Sequence, residues 1–129
     1  MATRGSGLGG VVLASTARTA DISVVMSMPR GTKNMMLVMD VTADTGTAAV
    51  TPKIRVLDAN GDYNAVIWTA AAAVNGTGET SYLFQPGIIA ADFNGTEAVS
   101  FLPPADFQLF MDAADSESFT YSVQVHYAS

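Results

Sequence analysis

The chain has 129 residues. A single domain of that length buries about two-thirds of the surface its unfolded form exposes, so it needs no covalent staple. With no cysteine it has none, which leans toward assembly in a reducing compartment, and its twelve acids against six Lys and Arg, a formal charge of −6, argue against tracking nucleic-acid phosphates.

In chain order, Met1–Gly10 comes first, with Gly5, Gly7, Gly9 and Gly10. Glycine loses the most backbone entropy on ordering, so this segment is expected to be a flexible arm preceding a domain over residues 11–129. It carries no export signal, because the apolar run after it, Val11–Ala14, is too short. Short apolar runs of strand character then follow: Val11–Ala17, Asp21–Ser27, Met35–Thr42, Val50–Leu57, Tyr63–Ala70, Ser81–Gln85, Ala98–Leu102 and Phe107–Met111. The breaks between them are rich in Gly, Pro and Asn, as at Pro29–Gly31, Asn60-Gly61, Pro86-Gly87 and Pro103-Pro104. Ala70–Val74 competes weakly as helix; without caps it is too short and is expected as a strand end or loop.

The last run is the clearest. In Ser118–Tyr127, Phe119, Tyr121, Val123, Val125 and Tyr127 alternate with Ser118, Thr120, Ser122, Gln124 and His126. Strand side chains alternate faces, so one face is buried and the other wet. Close-spaced strands of this kind predict an all-β domain, a single antiparallel β-sandwich of jelly-roll type. The expected core includes Leu37, Met39, Val41, Ile54, Val56, Ile67, Phe107, Leu109, Tyr121, Val123 and Val125. Two hairpins are expected, one across Asp58–Asp62 and one across the acidic loop Asp112–Glu117. Met35–Met39 is apolar on both parities, as for a central strand covered on both faces by its own sheets or by a neighbouring subunit. No run approaches the roughly 18 apolar residues of a membrane span, so a soluble protein with no membrane partner is expected.

Charge is unevenly distributed along the chain. All six basic residues, Arg4, Arg18, Arg30, Lys33, Lys53 and Arg55, lie at or before Arg55, and nine of the twelve acids follow it. Different parts of the surface then face different surroundings, unless strand order scatters the charges evenly.

Several motifs resolve into bland chemistry. Gly5-x-Gly7-x-x-Gly10 has the letters of a dinucleotide fingerprint but no preceding strand and no following helix. Asp58-x-Asn60-Gly61-Asp62 lacks the calcium-loop spacing, and both it and Asp112–Glu117 are expected as turns without metal. His126 is the lone histidine, on the polar face of the last strand, with no identifiable nucleophile or orienting acid. No pair among the twelve acids stands out for glycoside cleavage. No catalytic, cofactor or metal site is expected, and the chain is not expected to be an enzyme. Asn75-Gly76-Thr77 and Asn94-Gly95-Thr96 match the glycosylation sequon, but with no export signal the Asn-Gly pairs are expected as turns. Trp68, Tyr63, Tyr82 and Phe84 offer a possible sugar-stacking platform, against the commoner core role.

The opening Met1–Gly7 resembles small virion structural proteins of tailed bacteriophages. So do Asp40–Ala43, Asp58…Gly61-Asp62-Tyr63, Pro86-Gly87-Ile88, Leu102-Pro103 and Asp115-Ser116…Thr120–Val123. The likeness covers most of the chain, though the family's basic and aromatic stretch after Leu-Pro is here Pro104–Phe107. The resemblance implies a capsid decoration (cement) protein that binds the major capsid protein, commonly as a homotrimer, on a virion assembled in the host cytoplasm. A tail, neck or fibre component and a carbohydrate-binding module are the alternatives. Arg4, Leu8, Arg18, Arg30 and Lys33 become the candidate contacts to the capsid or to a neighbouring subunit.

Overall fold

The alternation of the last strand is realised residue by residue. Phe119, Tyr121, Val123, Val125 and Tyr127 point into the core and the residues between them face outward. The computed structural model describes residues 9–129; of the arm expected over Met1–Gly10, residues 1–8, with Arg4 and Leu8, lie outside them, and Gly9 and Gly10 belong to the first strand. Nine strands follow one another: β1 (Gly9–Arg18), β2 (Ile22–Ser27), β3 (Asn34–Asp44), β4 (Val50–Leu57), β5 (Tyr63–Thr69), β6 (Gly78–Phe84), β7 (Glu97–Val99), β8 (Asp106–Ala113) and β9 (Phe119–Ala128). The other regular element among the described residues is a 3-10 turn at Ala90–Asp92.

The strands form two sheets, ordered β1-β9-β3-β6-β7 and β2-β8-β4-β5. Leaving out the short β7, which runs parallel beside β6, every pair is antiparallel. The order β1-β9-β3-β6 over β2-β8-β4-β5 is the connectivity of a jelly roll. The inner faces meet in one core. Met35, Leu37 and Met39 of β3, Ile54 of β4, Tyr82 and Phe84 of β6, and Phe107, Leu109 and Met111 of β8 are buried in it. Trp68 closes one side, set edge-on against Tyr82 and Phe84 at centroid distances of 5.4 and 4.8 Å.

The hairpin across Asp58–Asp62 joins β4 to β5 as expected. Asp58 organises it: its carboxylate accepts from the amides of Asn60 (2.9 Å) and Asp62 (3.1 Å), and Gly61 supplies a φ of 83°. Those hydrogen bonds hold the Asp58 carboxyl below its ordinary pKa, the Asp62 amide contributing most.

Three expectations are corrected. β8 and β9 do not form a hairpin: β8 pairs with β2 and β4, and β9 with β1 and β3, in the opposite sheet. Both strands carry a full apolar face, so each is buried best in the middle of its own sheet, and the acidic loop crosses the sandwich between them. Ile67 is exposed rather than in the core. Trp68 pairs with Ile54 while Val66 pairs with Arg55, so Ile67 is the extra residue of a bulge. The bulge turns both Val66 and Ile67 outward and returns Trp68 to the interior. Finally, β3 is central as expected, but its own sheets leave the outward Met36 and Val38 half-covered, because nothing among the described residues packs over that face. Val56 is partly buried against the core, and Ala70–Val74 is a loop tied to β4 by a bridge between Val50 and Val74.

Candidate interaction surfaces

Strand direction sorts the loops into two poles. The β2–β3, β4–β5 and β7–β8 connections meet at one, and the β1–β2, β3–β4, β5–β6 and β8–β9 connections at the other. Arg30 and Lys33 stand exposed on the β2–β3 connection, at the pole that also holds Asp58, Asp62 and Asp106. Asp21, Asp44, Asp115 and Glu117 gather at the opposite pole. Among the described residues the base at that pole, Arg18, is spent internally. Its guanidinium donates to the main-chain oxygens of Tyr121 (2.6 Å) and Ala14 (2.6 Å) and lies 4.6 Å from the Tyr121 ring centroid. It therefore straps β1 to β9, which leaves Arg30 and Lys33 as the exposed cations among the described candidate contacts.

β4–β8 pairing partly cancels the charge asymmetry along the chain. On the outer face of the second sheet Lys53 meets Asp112 at 2.8 Å. Arg55 lies over the Phe110 ring, 3.9 Å from its centroid, and donates to Gln108. Exposed apolar side chains flank these pairs: Val25 on β2, and Val66 and Ile67 on β5. Across the molecule the first sheet turns out half-buried Met36, Val38 and Leu83.

The acidic motifs hold hydrogen bonds of their own. Asp115 accepts from the Thr47 hydroxyl and the Glu117 amide, which lower its pKa, the Thr47 bond foremost. Among the described residues no three of His, Asp and Glu come together as metal ligands. His126 lies on the outer face of β9, its Nε2 3.0 Å from Gln124. The aromatic platform is not assembled on the surface. Trp68, Tyr82 and Phe84 are core residues, and the Trp68 indole donates to Glu97 at 3.2 Å. Glu97 also accepts from the Ala71 amide at 2.9 Å, so one carboxylate ties β7 to the end of β5. Thr96 of the second sequon serves its turn, its hydroxyl accepting from the Ser81 amide at 2.9 Å.

Clefts indent the described surface. An open one of about 530 Å³ lies at the Lys33 pole between Asn34, Gln85, Leu102 and Ser129. A second of about 260 Å³ is lined by Ala72, Asn75, Thr80, Tyr82 and Thr96. The buried hydroxyls of Thr80 and Tyr82 have no hydrogen-bond partner there. Sequence reasoning missed the exposed edge at Val25 and the carboxylate tie at Glu97. Their signals, an apolar residue on a strand's wet parity and an acid beside a buried Trp, mean little until the strand order is known.

No protein-family model matches the chain, and no curated protein matches it. Among solved structures it is similar to one described as "Bacillus endospore appendages form a novel family of disulfide-linked pili". The two share 14% identity over 99% of this chain and 96% of that one, with a TM-score of 0.38. A similarity that low transfers neither architecture nor role.

Proposed function

We propose that this chain is a non-enzymatic virion protein that attaches to the outside of a tailed-bacteriophage capsid and stabilises it. The observation that carries this reading is the polarity of the sandwich. Among the described residues Arg30 and Lys33 stand exposed at one pole, while four acids with no exposed base beside them gather at the other. A body of this kind docks by its mixed pole and turns its acidic pole to solvent, where like charge keeps neighbouring and unbound copies apart. The resemblance of its turn and strand signatures to virion structural proteins points the same way.

Two measurements test it. Electron microscopy of the particle that carries the protein should place copies across the whole shell; density confined to one vertex assigns it to the tail or neck instead. Replacing Arg30 and Lys33 together by Glu should lower occupancy on emptied particles by about tenfold at low salt, with the gap narrowing as salt rises. Full occupancy by the double variant removes this pole from the docking surface. Saturable binding on a glycan array would favour the carbohydrate alternative.

A further inference from the structure

Among the described residues four strands end the two sheets: β1 and β7 in one, β2 and β5 in the other. An edge strand presents unpaired amides and carbonyls, and folded proteins blunt such edges with bulges, charges, proline or brevity. β7 is three residues long. β1 and β5 each break register with their neighbour twice. β2 has none of these devices. Its six residues, Ile22–Ser27, run in unbroken register with β8 and include neither a charge nor a proline.

The orientation of its backbone follows from one hydrogen bond. The Met28 amide donates to Ala105 on the β8 side at 2.7 Å. Hydrogen-bonded and non-bonded pairs alternate along an antiparallel ladder. The amides and carbonyls of Ser23, Val25 and Ser27 therefore face the open edge. The side chains are also unfinished. Ile22, Val24 and Met26 pack against the core but remain partly exposed, and Val25 on the outer face is 55% exposed.

We propose that β2 is a pairing edge for a second copy of this chain. Two β2 strands meet antiparallel about a two-fold axis at Val25, and the two smaller sheets continue into one. This register pairs Val25 with its own copy and Ser23 with Ser27, so every outward-facing amide and carbonyl of the strand is used. It sets Val24 against Met26 on the inner face, covering both. Charge selects a second copy over an acidic partner. Asp21 precedes β2 and Arg30 follows it, so antiparallel pairing brings Asp21 of each copy toward Arg30 of the other. The uncharged strand between them lets two bodies of −6 approach. This two-fold contact replaces the trimer that the family resemblance implies; it shares Arg30 with the proposed docking pole, so it is tested at Val25 on the free protein, where capsid docking plays no part.

The intact chain should have a native mass near twice 13.4 kDa at micromolar concentration. Val25→Asp should halve that mass with the far-UV circular dichroism unchanged. Because the chain has no cysteine, Val25→Cys offers a second readout. A hydrogen-bonded antiparallel pair holds its Cα atoms about 5.5 Å apart, so a short bifunctional thiol reagent should join most Val25→Cys chains in pairs. Val66→Cys, equally exposed on the opposite edge, should stay single. A monomeric or trimeric intact chain, or equal cross-linking of the two cysteine variants, overturns the proposal.

Discussion

Arg18 shows how an isolated charge changes meaning once its neighbours are known. Its hydrogen bond to the Tyr121 carbonyl and its stack on the Tyr121 ring join the first strand to the last, while its bond to the Ala14 carbonyl braces it along β1. Arg18→Ala should cost about 1–3 kcal/mol in urea unfolding, the range for a charge-assisted hydrogen bond plus a partly desolvated cation–π contact. Lys should rescue it only in part, since an ammonium cannot span both carbonyls in one plane. Tyr127 illustrates the opposite case: its hydroxyl is buried without a partner, and burial pushes its pKa above 10.0. A raised folded pKa means the native state holds the proton that the unfolded chain gives up. That stability is complete below pH 10.0 and is lost as pH climbs through the folded value. Tyr127→Phe should leave neutral stability unchanged or slightly higher and should flatten the decline measured by thermal melts above pH 10.

At the scale of elements, β5 is the instructive strand. A strict two-residue alternation assigns Tyr63, Ala65 and Ile67 to one face, but burying Trp68 requires the parity to change. The bulge at Ile67 makes that change, at the expense of an exposed isoleucine. Ile67→Ser should therefore fall within about 0.5 kcal/mol of the parent. Ile54→Ala, directly across from Trp68 and fully buried, should cost about 2–5 kcal/mol. Equal losses in chemical denaturation would mean that Ile67 is buried in solution. The pair is informative because both residues are isoleucines in adjacent strands and differ chiefly in which way they face.

For the molecule as a whole, the pairing of β1 with β9 closes the chain on itself, and β9 lies between β1 and β3. Such pairings require large loops to close before they stabilise anything, so folding should fall in the millisecond-to-second range of non-local β-proteins. A chain ending at Glu117 loses the strand that holds its neighbours together and should show no cooperative thermal transition. A chain lacking residues 2–8 keeps every strand pair described, since pairing begins at Gly9 opposite His126. It should melt near the parent temperature.

The sequence by itself determined the class, the nine strands and most of the core. Alternation and turn chemistry are local, and Ser118–Tyr127 or Asp58–Asp62 carry their structure within ten residues. Nine of the eleven expected core residues are buried, and Val56 partly so. Only the tertiary structure decided which strands became neighbours. The β8–β9 loop crosses between sheets because two fully amphipathic strands are each better buried at the centre of a separate sheet, a choice no local window contains. The same holds for the candidate surface. Arg18 was drawn inside, Arg30 and Lys33 were left out, and Val25 became an edge residue, all through strand order.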